Sequence, residues 1–209
     1  MSWIMNWVFP IVVVVAVIFI KKRLPYWIGK RGEKFVTKNI LQLDGAYYRV
    51  FEDLLLPSNG SLNTTQIDHV VVSNYGIFCI ETKSYKGWIF GNAKDEYWTQ
   101  IIYRYRKRFY NPLRQNYAHA KAIEELLKYK YPEAPIYSLV AFPDADKLKI
   151  SGTDSVGFVR DVVEKINSYT KIVLSDIEKD EICKILMMAD IKDKESRNFH
   201  DQGVKNIKN

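Results

Sequence analysis

Asp68, Glu81 and Lys83 are the residues of this chain whose types and spacing could do chemistry together. They lie in the stretch QIDHVVVSNYGIFCIETKSYK, residues 66–86. Two apolar runs flank Asn74 and Tyr75 there, the pattern of a buried β-hairpin. With a two-residue turn at Asn74-Tyr75, Asp68 falls directly opposite Glu81; a loop shifted by one residue sets it against position 82 or 83. Glu81 and Lys83, two apart, share one face of their strand. Two carboxylates brought together beside apolar surface repel unless a cation joins them. A hard divalent ion prefers such oxygen ligands, and Mg²⁺ commonly takes one or two carboxylates plus phosphate oxygens. Lys83 would then hold a water or steady the charge on a phosphodiester in its transition state. The same spacing fits a structural ion pair, with Lys83 neutralising Glu81 at an exposed strand end. Spacing alone leaves both readings open.

The elements that must position these residues are readable on either side. In RGEKFVTKNILQL, Val36, Ile40 and Leu43 recur at helical spacing, closed by Asp44-Gly45. A strand is expected over 47–56, a polar loop over 58–65, and another strand from Trp88. Asn111-Pro112 opens a helix to about residue 131, with Asn as N-cap and Pro in its first turn. IYSLVAF, residues 136–142, reads as a buried strand. Residues 158–169 read as a helix, and SDIE at 175–178 is a capping box opening a last helix to about residue 189. The charged tail, 190–209, is expected to be disordered. Helix, a run of strands, helix, strand, helix is an α/β sandwich with a mixed sheet.

Gln115 and His119 stand four apart on one helical face with Ala122 and Leu126. Gln115 is suited to orient water or phosphate. His119 is suited to contact the backbone of a nucleic acid, and the other reading of both residues is a satisfied polar side chain at the core edge. His69 alternates to the strand face opposite Asp68 and is read as structural. YRYRKRFY, residues 103–110, interleaves Arg104, Arg106, Lys107 and Arg108 with aromatic side chains. Cations neutralise phosphates and aromatic faces stack on bases, so this run is a candidate nucleic-acid contact; a solvated strand face is the other reading.

The chain has 209 residues, 47% of them hydrophobic, with a formal net charge of +7 and a pI near 9.2. That composition excludes a disordered chain and suits a polyanionic partner, either nucleic acid or an anionic membrane surface. Cys79 and Cys183 lack metal-type spacing, and a reducing compartment is expected. Residues 3–20 run WIMNWVFPIVVVVAVIFI without a charge, followed by Lys21, Lys22 and Arg23. At about 1.5 Å per residue such a helix just spans a hydrocarbon core. The basic cluster follows the run and no small-residue cleavage site does, so an uncleaved single-pass anchor is expected. The positive-inside rule then puts the C-terminal domain in the cytoplasm, on the cell membrane. Residues 24–30, with Pro25 and Gly29, read as a short juxtamembrane segment before the first helix of the domain. The expected division is an anchor with basic flank (1–23), a core (24–143), a C-terminal α/β extension packed on it (144–189) and the tail (190–209).

The Asp68, Glu81, Lys83 pattern on adjacent strands resembles the core of the PD-(D/E)xK nuclease superfamily. Three phrases together resemble its nuclease-related domain family, NERD: RGE at 31–33, IDHVVVSNYGIFCIETKSYKG at 67–87 and NPLRQNYAH at 111–119. The resemblance covers about residues 30–143 and is most specific at the hairpin. It implies a restriction-endonuclease-like mixed β-sheet flanked by helices, and a nuclease-like site using Mg²⁺ or Mn²⁺ with no small-molecule cofactor. It implies metal ligation by Asp68, Glu81 and the backbone carbonyl of Thr82, with Lys83 as the catalytic lysine. Ile67 stands where the superfamily name places proline, an ordinary substitution in this family. The resemblance also assigns Glu33 to the same cleft, where the alternative is a solvated residue at a helix start. The expected function is hydrolysis of phosphodiester bonds in DNA, or RNA, by a membrane-anchored chain. The alternative is a non-catalytic nucleic-acid-binding or membrane-associated interaction module on a nuclease fold.

Overall fold

In the computed structural model, whose backbone is described for residues 2–207 and whose side chains are described without interruption for 23–204, the apolar runs about Asn74 and Tyr75 pair as an antiparallel hairpin. The elements are α1 (Ser2–Ile40), β1 (Tyr48–Pro57), β2 (Thr64–Ser73), β3 (Gly76–Thr82), β4 (Trp88–Asn92), β5 (Tyr97–Ile102), β6 (Tyr105–Tyr110), α2 (Pro112–Leu127), β7 (Ile136–Ala141), β8 (Lys147–Ser151), β9 (Val156–Gly157), α3 (Val159–Asn167), α4 (Asp176–Ala189) and α5 (Lys194–Ile207). The fold is mixed α/β with two mixed sheets. The first has strand order β1-β2-β3-β7-β9 and the second β6-β5-β4-β8. In the first, β1, β2 and β3 are antiparallel neighbours, while β7 runs parallel to β3 and β9 parallel to β7.

Alternation along β2 and β3 divides the core. Val70, Val72, Ile77 and Cys79 face α2 and α4, meeting Ile123, Leu127, Ile182 and Leu186. Val71, Phe78 and Ile80 face α1 and α3, meeting Val36, Ile40, Val162 and Ile166. All seven residues of β3 are buried, as a strand covered on both faces requires. The second sheet turns one face inward: Ile89, Trp98 and Phe109 pack on Val140 and Phe142 at the end of β7. Strand β8 pairs with β4, and β9 extends the first sheet beyond β7, so the segment after residue 143 completes both sheets.

Two expectations meet a different structure. The juxtamembrane segment around Pro25 and Gly29 is not a separate piece, because α1 runs through it. A proline removes one intrahelical donor, and the following turns are held by the packing of Val36 and Ile40. The tail expected to be disordered is largely helix α5. Polar clamps hold it: Asp193 Oδ1 accepts from the N–H of Ser196, and the Arg197 guanidinium donates to the Ile191 and Asp53 carbonyls and to the Asp53 and Asp190 carboxylates. Among the described residues no helix is long and apolar enough to cross a membrane. The run expected to do so, residues 3–20, lies for the most part outside the residues whose side chains are described.

Candidate active site

The hairpin turn sets the register that brings the two carboxylates level. Ser73 pairs with Gly76, Val72 with Ile77 and His69 with Ile80, so the next position outward sets Asp68 against Glu81. Gly76 makes this turn possible at φ +129°, where a Cβ would also collide with the Tyr137 ring and the Pro135 carbonyl. Asp68 Oδ2 accepts the backbone N–H of Thr82 at 2.8 Å, tying the end of β2 to the end of β3. Thr82 thus enters the site through its backbone; its side chain is buried, with Oγ1 3.5 Å from His69 Nδ1. His69 bridges from there to Thr37 of α1 at 3.0 Å. Burial pushes its imidazole down to about 4, so it is neutral at pH 7, as a structural histidine on the face away from Asp68 should be.

Glu81, Lys83 and Gln115 close a triangle. The Lys83 ammonium donates to Glu81 Oε1 and to Gln115 Oε1, the latter at 2.8 Å, and Gln115 Nε2 donates back to Glu81 Oε1 at 2.9 Å. The second carboxylate oxygen, Oε2, lies 3.3 Å from His119 Nε2, and His119 Nδ1 is held 2.6 Å from Thr65 Oγ1. The Glu81–Lys83 pair is therefore not at an exposed strand end: the side chains are only 4% and 15% exposed. His119 is buried beside Glu81, and it enters the site through that carboxylate.

Two asparagines set α2 in place. Asn111 caps the helix by accepting the N–H of Leu113, while its Nδ2 donates to the Ala93 and Asp95 carbonyls of the β4–β5 turn. Asn116, fully buried, donates to the Cys79 and Leu139 carbonyls and to Ser138 Oγ, and its Oδ1 accepts from the Cys79 thiol. It welds the turn carrying Gln115 and His119 to β3 and β7. Nothing in the sequence separates these two residues from other polar helix residues except the cap position of Asn111.

The electrostatics separate the two carboxylates. Burial raises the Asp68 carboxyl well above its usual range, and the negative charges of Glu81 and Glu33 push it further in the same direction. Burial would also raise Glu81, but the Lys83 ammonium and the hydrogen bond from His119 outweigh it and bring the carboxyl down to about 2. Burial would lower the Lys83 pKa, and the Glu81 carboxylate more than reverses this, so Lys83 is an ammonium at neutral pH. The site holds one firmly anionic carboxylate, one that resists ionising, and one cation. A divalent ion fits that imbalance, because it would relieve the repulsion at Asp68. Among the described residues no group of three or more His, Cys, Asp or Glu side chains is arranged to hold a metal. The donors on offer are two carboxylates, which suits a hard ion that keeps water or phosphate oxygens in its shell.

Asp68 opens onto a cleft of about 480 Å³ between α1, the β1–β2 ribbon and α5, lined in part by Lys30, Glu33, Asp53, Arg197 and His200. Glu33 is within this cleft, two turns before the C-terminal end of α1 and paired with Lys30 at 2.8 Å, so a role at a helix start does not apply. Asp53, Arg197 and His200 were not legible as site residues. Asp53 adopts φ +56° in β1, at the position opposite Asp68, and its carboxylate accepts from Gln66 and Arg197. His200 Nδ1 lies 2.8 Å from Thr64 Oγ1, one residue along β2 from the threonine that holds His119.

The basic run is divided by the fold. Arg106 and Arg108 share one face of β6, Lys107 projects to the other, and Arg104 lies in the turn after Tyr103, which has φ +52°. All four are exposed.

Residues 28–143 match the family model of the nuclease-related domain. An uncharacterized protein of Bacillus anthracis is 38% identical over 185 residues, covering 87% of this chain and 85% of its own. A solved structure of a protein of unknown function, AF1548, aligns over 86% of this chain and 98% of its own with 11% identity and a TM-score of 0.26.

Proposed function

Because the chain belongs to the nuclease-related domain family, we propose that it is a metal-dependent nuclease that hydrolyses phosphodiester bonds in DNA, or in RNA. The observation that carries this reading is the buried Lys83 ammonium held between Glu81 and Gln115, beside a second carboxylate at Asp68 that burial keeps from ionising freely. A structural ion pair needs no second carboxylate at its side.

Asp68, Glu81 and the Thr82 carbonyl are the groups that would hold Mg²⁺ or Mn²⁺. The chemistry such an ion supplies when bound is polarisation of a phosphoryl oxygen and a more acidic bound water. Lys83, kept charged by Glu81, donates toward the negative charge that develops on the phosphoryl oxygens. Gln115 accepts from Lys83 and donates to Glu81, which fixes the direction of both groups. His119 orients the other Glu81 oxygen, and Glu33 faces the cleft into which the substrate backbone would enter.

Residues 3–20 anchor the chain in the cell membrane in this reading, with the domain cytoplasmic. The uncharged run and the Lys21, Lys22, Arg23 cluster beyond it support this. Retention in the membrane fraction after alkaline carbonate extraction is expected. A C-terminal reporter active only outside the cytoplasm would reverse the orientation.

The activity is tested by incubating the chain with labelled single- and double-stranded DNA and RNA, with Mg²⁺, Mn²⁺ or chelator. Cleavage that needs the metal is expected. Asp68→Asn and Glu81→Gln should abolish it and weaken metal binding. Lys83→Ala should keep metal binding and lower turnover about 10²-fold or more. A wild-type chain that binds nucleic acid, cuts none with any divalent ion and takes up no metal in calorimetry would leave the non-catalytic binding module as the function.

A further inference from the structure

We propose that the outer face of the second sheet is a stacking platform for a single strand of nucleic acid; this rests on the nucleic-acid reading above and names the form of substrate that the site receives. The register assembles the face row by row. Trp88 lies between Lys147 on β8 and Ile101 on β5, and Ile101 is paired with Arg106 on β6. Two residues further along, Phe90 lies between Lys149 and Thr99, and Thr99 is paired with Arg108. Tyr97 and Tyr110 form the next pair. Trp88, Tyr97 and Tyr110 remain 45%, 43% and 47% exposed, although the opposite face has already buried Ile89, Trp98 and Phe109 as the core of this sheet.

Cations lie over these rings. The Lys147 and Lys149 ammonium groups are each 5.1 Å from the Trp88 ring centroid, and Lys149 is equally close to Phe90. The Arg108 guanidinium lies 4.8 Å over Tyr97. Among the described residues no strand position on this face is Asp or Glu. A solvated sheet face has no need of large rings, and a face that only repelled other sheets would not need them either. Rings with cations beside them match the two parts of an unpaired strand, bases and phosphates. A duplex hides its base faces, so it can use only the cations. The rings lie across a sheet and not on a projecting tip, which disfavours insertion into a lipid surface.

The platform is joined to the site at both ends. β4 begins five residues after Lys83, and β6 leads through Asn111 into α2, which carries Gln115. Two of the cations, Lys147 and Lys149, come from β8, beyond the residues 28–143 that match the family.

The test uses the full chain and fluorescent single-stranded DNA, single-stranded RNA and duplex DNA, with phosphatidylserine-containing vesicles as a separate arm. Trp88→Leu with Phe90→Leu keeps apolar bulk and removes the π-faces. It should weaken single-strand binding about tenfold or more and leave duplex binding nearly unchanged. Lys147→Gln with Lys149→Gln alters only exposed side chains, and should flatten the log–log salt dependence for a single strand by about 0.7 for each phosphate that is no longer neutralised. Single-strand affinity unchanged in both variants, with metal-dependent cleavage intact, overturns the platform and leaves the nuclease reading standing. Vesicle binding abolished in these variants with oligonucleotide binding unchanged makes the face a lipid-binding surface and overturns the proposal. A wild-type chain that binds no nucleic acid overturns both readings.

Discussion

Asp68→Asn should make the metal-free protein more stable while removing its activity. In the folded chain Asp68 is level with Glu81 across the β2–β3 pair, and its carboxyl is raised by burial and by the charges of Glu81 and Glu33. Side chains directly opposite on antiparallel strands have Cβ atoms about 5 Å apart. Unit charges about 5–7 Å apart at an effective dielectric near 20 repel by about 2–3 kcal/mol. Asparagine keeps the shape and an oxygen able to accept the Thr82 N–H, so little is lost in exchange. At roughly 2–4 °C per kcal/mol for a domain of this size, the gain in Tm should be roughly 4–12 °C. The sign of the pH dependence follows from the direction of the shift. A carboxyl raised in the folded state binds its proton more tightly there than in the unfolded chain, so wild-type stability falls as pH rises through the raised value. The gap between variant and wild type should therefore be absent in strong acid and widen toward neutral pH. Thermal unfolding in chelator at several pH values measures this. Saturating Mg²⁺ should close the gap by stabilising only the wild type, by about 2.7 kcal/mol at a hundredfold excess over Kd. A variant less stable than wild type in chelator at neutral pH would refute the account of a strained carboxylate.

Glu81 should behave in the opposite sense: its carboxyl is lowered from 4.5 to about 2, so its stabilising contribution is full above the ordinary value and is lost as pH falls through that window. An acid titration followed by circular dichroism should show wild type losing more stability than Glu81→Gln between those limits. Gln115→Leu removes the acceptor that aims Lys83 and should lower turnover about 10–100-fold, with the Tm changed far less, as steady-state kinetics beside a melting curve will show. Arg197→Ala removes the donors that fasten α5 to Asp53 and Asp190; amide exchange in residues 194–207 should accelerate at least about tenfold while β3 stays protected.

What could be read in the sequence was what local rules govern. Of the registers that local rules left open for the hairpin, the one with the two-residue turn is formed, pairing Ser73 with Gly76 and His69 with Ile80 and so bringing Asp68 level with Glu81. The α2 cap, Asn111 before Pro112, is equally local. Gln115 was legible as a polar residue on the inner helical face; that it would bridge Lys83 and Glu81 depended on how α2 docks, which Asn116 decides through bonds to residues 22 and 37 positions away. Asp53 escaped because a left-handed φ without glycine leaves no mark in composition. α5 escaped because Arg197, His200 and Asp193 hold it by hydrogen bonds, not by an apolar stripe. The basic run was legible as a run, but the pleat splits it, and two of the rings that share a face with Arg106 and Arg108, Trp88 and Phe90, come from β4, which is not next to β6 in the chain.

The two neighbours of β3 imply an order of assembly. Its pairing with β2 closes across Asn74 and Tyr75, while its pairing with β7 joins Ile77 to Ile136 and must wait for the three strands and the helix between them. Short loops close at little entropic cost, and long ones slow folding. Asp68, Glu81 and Lys83 are therefore expected to meet while much of the chain is still unfolded, with Gln115 arriving later with α2. The early hairpin carries its own counter-ion, because Lys83 travels two residues behind Glu81 on the same strand. A Lys83 variant would leave the carboxylates facing each other at that stage, so it should slow refolding as well as catalysis.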